Sequence, residues 1–399
     1  MKTQFKGSRL AIPAGVVILL STLLAIAITK QKHCDIDFPS YYFGAYAYTS
    51  GVNPYDFRSL LTNVPSKLLD HELFPYLYTP PCTILFIPFI SLPYKLAQGI
   101  WSALNLCFLG ASICLMATSL RTNGVKHSFQ MVFCATLVLS FPIIHTIYNG
   151  QINLLTLTSI CLGFWALSKR NNSLSLWAFT AGALLKITPM AFLVFSLRGY
   201  KSSVMNLVIR WVAPLGVLIY SQLSFWQLYL QRMSTLGYSK DVGAHTQASS
   251  SANVGIMRLV ARLTSHSQFE SKLLAGTIAL SLLAVILKQR KYLWKQPLEV
   301  LVLTLFCLNI SPIAWSHHFV LLMPGLAMYF ASIHRLECLN RSTIFLIASL
   351  IFATLPWGTL ATRSAVCEDM ASITPFVFFG SILYLSLIEA PRFFKLSTP

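Results

Sequence analysis

Apolar runs of up to about 20 residues recur from Leu10 to Ala390 and are separated by short polar breaks. A run of that length, wound as a helix, crosses the roughly 30 Å hydrocarbon core of a bilayer. Only 11% of the 399 residues are charged and 55% are hydrophobic, so the chain lacks the polar surface that a water-exposed globule needs. The sequence therefore predicts an all-α polytopic membrane protein, with a single integral membrane domain over residues 1–399.

Lysine and arginine fall in short clusters between the apolar runs, which indicates how the chain crosses the membrane. The net charge of +18 forms no basic stripe, so it does not indicate a nucleic acid partner. If the basic clusters stay on the cytoplasmic side, both termini are cytoplasmic and about 12 helices cross the membrane, within a range of roughly 11 to 13. The predicted helices run near 10–29, 97–118, 129–148, 152–168, 173–187, 188–198, 204–222, 271–288, 297–311, 317–333, 342–357 and 374–389.

Nine of the 12 acidic residues fall on the outer side of this topology, which the basic residues alone define. The same side holds two long loops, at about residues 30–79 and about residues 223–270, whereas most inner breaks are short. The apolar segment 80–92 is interpreted as a partial or re-entrant span, because a full crossing would invert every later helix. Chemistry is therefore expected on the outer face.

The first outer loop opens with the sequence HCDIDFPSYY, residues 33–42, in which Asp35 and Asp37 precede Tyr41 and Tyr42. A carboxylate at the membrane surface can act as a general base, because partial burial raises its pKa toward neutral pH. An ordinary solvated loop explains the same residues. The Asp35/Asp37 pair also has the spacing of a weak divalent-cation site.

Aromatic and amide groups follow at two further places on the outer face. The segment FPYLYTPP, residues 74–81, contains Tyr78, whose ring suits either packing on the bilayer surface or stacking on a sugar. The segment YNGQIN, residues 148–153, contains Gln151 and Asn153, whose amides are costly between apolar runs unless they are hydrogen-bonded. Bonding to sugar hydroxyls and a simple tight turn at Asn-Gly explain this segment equally well.

Cationic and imidazole groups complete the candidate set. Lys186 lies between two hydrophobic runs, where its ammonium either meets an anion such as a lipid phosphate or snorkels to the interface. The segment SPIAWSHH, residues 311–318, places Trp315, His317 and His318 at the predicted outer end of a helix, and histidine can donate to a phosphate oxygen or carry a proton. No third ligand accompanies the adjacent histidines and no CxxC pair occurs, so no metal site is predicted, although the sequence leaves a divalent cation open.

Taken in order, these motifs resemble the family 87 glycosyltransferases of the GT-C superfamily, which include phosphatidylinositol mannoside mannosyltransferases. The shared pattern spans residues 37–318 and reads D-F-x-x-Y-Y, G-x-x-P-Y, a tyrosine- and proline-rich segment, G-Q-x-N, K-x-x-P and S-P-x-x-W-x-H-H. The resemblance implies a GT-C-type bundle of many transmembrane helices with an outward-facing active site. It also implies a polyprenyl-phosphate sugar as donor, and transfer with inversion.

The resemblance implies residue roles as well. Asp37 matches the first-loop aspartate that deprotonates the acceptor hydroxyl, and His317 or His318 matches the histidine motif near the donor phosphate. Asp35, two positions earlier, leaves open which carboxylate is the base, and the loop segment 249–255, SSSANVG, departs from the family pattern. The residues predicted to bind substrate are Asp35, Tyr41, Tyr42, Tyr78, Gln151, Asn153, Lys186 and Trp315.

The sequence thus predicts a transferase that moves a hexose, mannose first, from a polyprenyl-phosphate donor to a lipid or glycan acceptor on the outer face of a bacterial inner membrane. A lipid-linked donor follows from that location, since nucleotide sugars are made in the cytoplasm and the chain has no glycine-rich nucleotide-binding loop. No resident cofactor is predicted. Two other classes remain open: a transporter or lipid flippase, whose polar residues would line a path through the membrane, and a non-catalytic subunit of a glycosyltransferase complex.

Overall fold

The computed structural model describes residues 36–64, 73–198, 215–236, 260–264, 267–288, 298–311 and 316–335, apart from 217, 218, 221 and 262. Every regular element within these ranges is a helix, which confirms the all-α prediction for this part of the chain. The predicted helices at 10–29, 342–357 and 374–389 lie outside the described residues, as does most of 204–222.

The described part of the chain is a series of helices joined mostly by short connections. In chain order the α-helices are α1 (Phe38–Thr49), α2 (Phe57–Asn63), α3 (Pro80–Ile90), α4 (Tyr94–Thr122), α5 (His127–Val138), α6 (Phe141–Tyr148), α7 (Asn153–Ser168), α8 (Asn172–Leu185), α9 (Leu193–Arg198), α10 (Leu223–Thr235), α11 (Gln268–Lys288), α12 (Leu298–Ile310) and α13 (Met323–Arg335). Two 3-10 segments, Thr188–Phe192 and Ser316–Leu322, lead directly into α9 and α13.

Where predicted spans and observed helices differ, proline explains two of the differences. The predicted span 129–148 is divided into α5 and α6, because Pro142 occupies the first turn of α6 and cannot continue the hydrogen bonding of α5. Pro189 occupies the first turn of the 3-10 segment after α8, so the predicted helix 188–198 begins as a 3-10 helix and becomes α-helical only at α9. By contrast, α4 extends beyond the predicted limits of 97–118 at both ends.

The outer regions that the sequence predicts as loops contain short helices. The first of them holds α1 and α2, and the second holds α10, none of which is long enough to produce a membrane-length apolar run. Helix α3 has 11 residues and is therefore about 16 Å long, roughly half of the hydrocarbon thickness. Its length agrees with the partial span predicted at 80–92.

Helix α7 is the centre of the described bundle, since it packs extensively against both α4 and α8. A Cβ atom at Gly163 of α7 would lie 2.3 Å from the ring of Phe179 on α8, so only glycine permits this close approach. The buried side chains of Leu154, Leu157 and Ile160 continue the same core along α7. This packing fixes the N-terminal end of α7, where the candidate site lies.

A cluster of aromatic rings anchors α1 to α3 and to the start of α4. The Tyr41 ring stacks on Phe86, with centroids 4.6 Å apart and planes 8° apart, and Phe86 meets Trp101 edge to face at 4.7 Å. Phe38, the first residue of α1, also packs against Phe86 and is fully buried. Such pairs contribute about 0.5–1.5 kcal/mol each beyond their burial, so the start of α1 is held firmly.

Among the described helices, α4 is long and apolar enough to cross a membrane by length and composition. Shorter apolar helices occupy Pro80–Ile90, Asn153–Ser168, Thr188–Leu197 and Glu299–Leu308. Large apolar side chains, such as Phe269, Leu273 and Leu280 of α11, are exposed on the described surface. Apolar surface of this kind is suited to contact with lipid tails rather than with water.

Candidate active site

Asp37 is the N-cap residue of α1, but its side chain does not cap that helix. The carboxylate Oδ2 instead accepts a hydrogen bond from Nε2 of Gln151, 114 residues further along the chain. The backbone N–H of Asp37 donates to the carbonyl of Asn149 at 2.9 Å. Backbone and side chain are therefore both tied to one segment, and Asp37 also lines the cavity described below.

Gln151 is completely buried and is bonded at both ends of its amide. Its Oε1 accepts from the hydroxyls of Tyr41 and Tyr78, each at 3.2 Å. The Tyr41 hydroxyl in turn accepts from the backbone N–H of Ile152 at 3.1 Å. Because the amide oxygen is occupied by two hydroxyl donors, the amide nitrogen must be the atom that faces Asp37.

The segment between α6 and α7 is a tight turn, as one of the two interpretations of its sequence predicts. Gly150 has φ = 64°, a left-handed conformation that glycine adopts without steric cost. The Trp101 indole N–H donates to the Gly150 carbonyl at 2.6 Å. The tight turn is therefore present, and the amides of Gln151 and Asn153 within it are hydrogen-bonded to protein groups.

Lys186 follows the last residue of α8 and is tied to the start of α7. Its Nζ donates to Oδ1 of Asn153 at 2.6 Å, and Nδ2 of Asn153 donates to the carbonyl of His317 at 3.2 Å. The Thr79 hydroxyl donates to the carbonyl of Leu184 and so joins the end of α8 to the segment before α3. Asn153 thus connects the lysine with the histidine segment.

The two adjacent histidines have different environments. His318 lines the cavity described below, whereas His317 is buried and its ring centroid lies 5.3 Å from that of His145. The Asn149 Nδ2 atom lies 3.2 Å from Nε2 of His145 and 3.4 Å from Nδ1 of His317. The Thr146 hydroxyl donates to the His317 carbonyl at 3.3 Å, which fixes the backbone next to His318.

Burial opposes ionisation of both Asp37 and Lys186, which lie in breaks between apolar helices. It raises the pKa of Asp37 to about 7, although the Gln151 hydrogen bond and the charge of Lys186 both act to lower it. It lowers the pKa of Lys186 to about 7, against the opposite effect of Asp37. Groups that titrate near neutral pH are suited to proton transfer.

A cavity of about 420 Å³ lies beside these groups, within the usual size range of small-molecule sites. Three of its residues come from distant parts of the sequence and bear polar groups. We call them the polar lining: Asp37, Lys186 and His318. Several lining residues bear aliphatic side chains, and we call three of them the apolar lining: Leu185, Leu308 and Leu321.

The structure brings most of the predicted site residues together. Those that line the cavity are Asp37, Tyr78, Lys186 and His318. Those that are buried and hydrogen-bonded to this network are Tyr41, Gln151, Asn153 and His317. Tyr42 is directed elsewhere, since its hydroxyl donates to the Leu92 carbonyl at 3.0 Å and its ring packs on that of Tyr94. Asp35 and Trp315 lie outside the described residues.

Three further residues of this region were not predicted from the sequence. His145 lies on α6, four residues before Asn149, which follows the last residue of that helix. A spacing of four residues places two side chains on one helix face, and this was the feature of the sequence that could have identified His145. Tyr229 and Met233 of α10 line the cavity. They too are four residues apart, but they lie in a segment that the sequence predicts as loop.

Within the described ranges, no group of three or more His, Cys, Asp or Glu side chains is placed to hold a metal ion. His145, His317 and His318 lie near one another without forming such a group. Asp35 lies outside these ranges, so the Asp35/Asp37 pair, at which the sequence leaves a divalent cation open, is described only at Asp37.

In the part of the chain that the structure describes, apolar helices, one of them of membrane-spanning length, surround a cavity lined by a carboxylate, an ammonium and an imidazole. The model of Glycosyltransferase family 87 matches residues 76–312, more than half of the chain, and the protein belongs to this family. This confirms the resemblance inferred from the motifs. The matched segment includes Gln151 and Lys186 but does not extend to Asp37 or His318.

Two curated relatives come from Mycobacterium tuberculosis. The chain is 28% identical over 309 residues, 73% of this chain and 69% of that protein, to a polyprenol-phosphate-mannose-dependent alpha-(1-2)-phosphatidylinositol mannoside mannosyltransferase of strain ATCC 25618 / H37Rv. It is 25% identical over 254 residues to a polyprenol-phosphate-mannose-dependent alpha-(1-2)-phosphatidylinositol pentamannoside mannosyltransferase of strain CDC 1551 / Oshkosh. This second match covers 63% of this chain and 57% of that protein, less than two thirds of its length.

Proposed function

We propose that the protein transfers a mannosyl residue from polyprenyl-phosphate mannose to a lipid acceptor of the phosphatidylinositol mannoside kind. The observation that carries this proposal is the convergence of Asp37, Lys186 and His318 on one cavity. Such a transfer needs a base for the acceptor hydroxyl and positive groups near the departing phosphate. The names of the two mycobacterial relatives support this donor and this kind of acceptor.

Asp37 is the proposed general base. Its carboxylate lines the cavity, is restrained by Gln151 and carries a pKa of about 7, so the ionised form is present near neutral pH. A positioned base of matched pKa contributes about 10²- to 10⁴-fold to the rate of a proton-transfer step.

Lys186 and His318 are proposed to bind the phosphate of the donor. A phosphate entering the cavity brings negative charge, which favours the charged ammonium and offsets the effect of burial on Lys186. His318 lines the same cavity and supplies an imidazole N–H. As the phosphate departs, its growing negative charge is stabilised by these preorganised donors.

In the proposed reaction the acceptor oxygen forms a bond with C1 of mannose while the bond between C1 and the phosphate oxygen breaks. The proton of the acceptor hydroxyl passes to the Asp37 carboxylate, and the electron pair of the broken bond leaves with polyprenyl phosphate. Attack from the side opposite the phosphate inverts the configuration at C1. In this scheme Asp37 is assigned to the acceptor hydroxyl and Lys186 to the departing phosphate.

The apolar lining, Leu185, Leu308 and Leu321, is proposed to contact the polyprenyl chain next to the phosphate. The polyprenyl chain moves to the cavity from the lipid bilayer, whose tails are as apolar as leucine. These contacts therefore add van der Waals packing but remove little apolar surface from water. They are expected to select the shape of the lipid more than to set the strength of binding.

We infer that the cavity faces outward in a GT-C-type single domain of about 12 transmembrane helices. Both termini are then cytoplasmic, and a bacterial inner membrane is the proposed location. The position of nine acidic residues on the outer side of the predicted topology supports this orientation. Labelling of single introduced cysteines from either side of sealed vesicles tests it.

The experiment that tests the function uses the full chain in nanodiscs with radiolabelled polyprenyl-phosphate mannose and phosphatidylinositol mannoside lipids. The wild type is expected to transfer label to lipid, and Asp37→Asn to lose about 10²- to 10⁴-fold of the rate. Ser175→Ala is a matched control, because Ser175 is buried and bonded to Ser196 at 2.7 Å. Absence of transfer from polyprenyl-phosphate mannose by folded wild-type protein contradicts the proposal.

A further inference from the structure

We propose that the turn at residues 149–153 positions the polar groups of the cavity, with Gln151 orienting Asp37 and Asn153 orienting Lys186. Neither amide then contacts the sugar, which differs from the substrate-binding role that the sequence predicts for both. The inference rests on the proposed function for its catalytic consequences. The orientation of the Asp37 carboxylate and the Lys186 ammonium by the two amides does not depend on that function.

The amide of Gln151 has no freedom to turn toward a ligand. Its side chain is completely buried, its Oε1 accepts from Tyr41 and Tyr78, and its Nε2 donates to Asp37. Rotating the amide by half a turn would set its oxygen against the carboxylate and its N–H groups against the two hydroxyls. The two tyrosines therefore determine that Asp37 receives an N–H donor.

Asn153 is the counterpart on the other side of the turn. It is also completely buried, with Oδ1 bonded to Nζ of Lys186 at 2.6 Å and Nδ2 bonded to the His317 carbonyl at 3.2 Å. Because the His317 carbonyl can only accept a hydrogen bond, Nδ2 of Asn153 must face it, and Oδ1 therefore faces the ammonium. A hydrogen bond to a charged group is about twice as strong as one between neutral groups.

The turn itself is rigid enough to act as a common support. Gly150 takes the left-handed conformation, its carbonyl is bonded to Trp101, and the Asn149 carbonyl is bonded to the backbone of Asp37. Gln151 and Asn153 are two residues apart, yet they hold groups that lie 114 and 33 residues away in the sequence. One short segment thus sets the relative position of the base and the cation.

The pKa of Asp37 should change when the hydrogen bond from Gln151 is removed. Among the residues that the structure describes, the ionisable side chains around Asp37 are those of Lys186, Tyr41 and Tyr78, and His318 lines the same cavity. Gln151→Leu removes the N–H that stabilises the ionised carboxylate, so the pKa of Asp37 is expected to rise by about one unit. Transfer requires the ionised form of Asp37. Transfer activity should therefore decline at a pH about one unit higher in Gln151→Leu than in the wild type.

The test measures two quantities on full-length protein in nanodiscs. One is the pH dependence of mannose transfer from polyprenyl-phosphate mannose. The other is the infrared absorption of the protonated Asp37 carboxyl, titrated with pH and assigned by its absence in Asp37→Asn. Gln151→Leu should move both midpoints upward, whereas Asn153→Leu should mainly raise the donor KM by about tenfold and move the midpoints less. Ser175→Ala should leave both midpoints and the donor KM unchanged.

The infrared titration does not depend on activity, so it distinguishes failure of the proposed function from failure of the positioning proposal. If Gln151→Leu moves the carboxyl midpoint while no variant transfers mannose, the proposed function fails and the positioning of Asp37 stands. If the midpoint of Gln151→Leu equals that of the wild type, or if Gln151→Leu and Asn153→Leu change every quantity equally, the positioning proposal is overturned.

Discussion

The polar and apolar linings of the cavity are built in different ways. Asp37 and Lys186 of the polar lining are each bonded to a buried amide whose orientation other groups fix. Leu308 and Leu321 of the apolar lining belong to a hydrophobic core and are held by packing alone. A substitution in the polar lining should therefore change the chemistry sharply, while one in the apolar lining should change fit gradually.

A large effect that sharpens this comparison is expected from Lys186→Met, which keeps most of the length of the side chain and removes the charge. Transfer should fall by about 10²- to 10³-fold, because the departing phosphate loses a preorganised positive donor. Initial rates at saturating acceptor measure it. Lys186→Arg keeps the charge and should retain more activity, so equal losses in the two variants would count against a phosphate role.

A much smaller effect is expected from Leu308→Ala in the apolar lining. The donor KM should rise about three- to fivefold with little change in kcat, because the polyprenyl chain loses packing but no transfer from water is involved. Steady-state kinetics with polyprenyl donors of two chain lengths measure this change. A loss as large as that of Lys186→Met would erase the proposed distinction between the two linings.

The smallest effect is that of Asp37→Asn on the stability of the folded protein. This substitution should lower activity but raise stability. The pKa of Asp37 is raised, so the folded protein binds a proton below about pH 7 that the unfolded chain does not hold above about pH 4. Folding is therefore penalised most above pH 7, and the penalty is relieved as the pH falls. Asp37→Asn should raise the melting temperature by a few degrees at about pH 8 and by less at about pH 5.

Thermal unfolding of the detergent-solubilised full chain, followed by tryptophan fluorescence, measures this difference. A pH-independent shift in melting temperature would mean that Asp37 carries no burial penalty. Ser175→Ala serves again as control, since it should lower stability equally at both pH values.

Much of the site could be predicted from the sequence because charged and amide groups are costly among apolar runs. Asp37, Lys186 and the histidine pair drew attention for that reason, and the family match confirms the class to which they point. The choice between His317 and His318 could not be predicted. Neighbouring residues on a helix face about 100° apart or more, and only the register of the 3-10 segment directs one of them to the cavity.

The hydrogen-bond partners of the two amides also could not be predicted from the sequence. Gln151 and Asn153 were expected to need hydrogen bonds, but nothing local indicates that tyrosines 110 and 73 residues away saturate the Gln151 oxygen. Tyr229 was missed because α10 has 13 residues, fewer than the length by which a membrane helix is identified.

The measurement that tests the central account most directly is the binding of polyprenyl-phosphate mannose to the full chain in nanodiscs without acceptor. If Lys186 holds the phosphate and Asp37 serves the acceptor, Asp37→Asn should bind the donor as the wild type does, and Lys186→Met should bind it at least about tenfold more weakly. Equal affinities in all three proteins, or an equal loss in both variants, would contradict this division of the cavity.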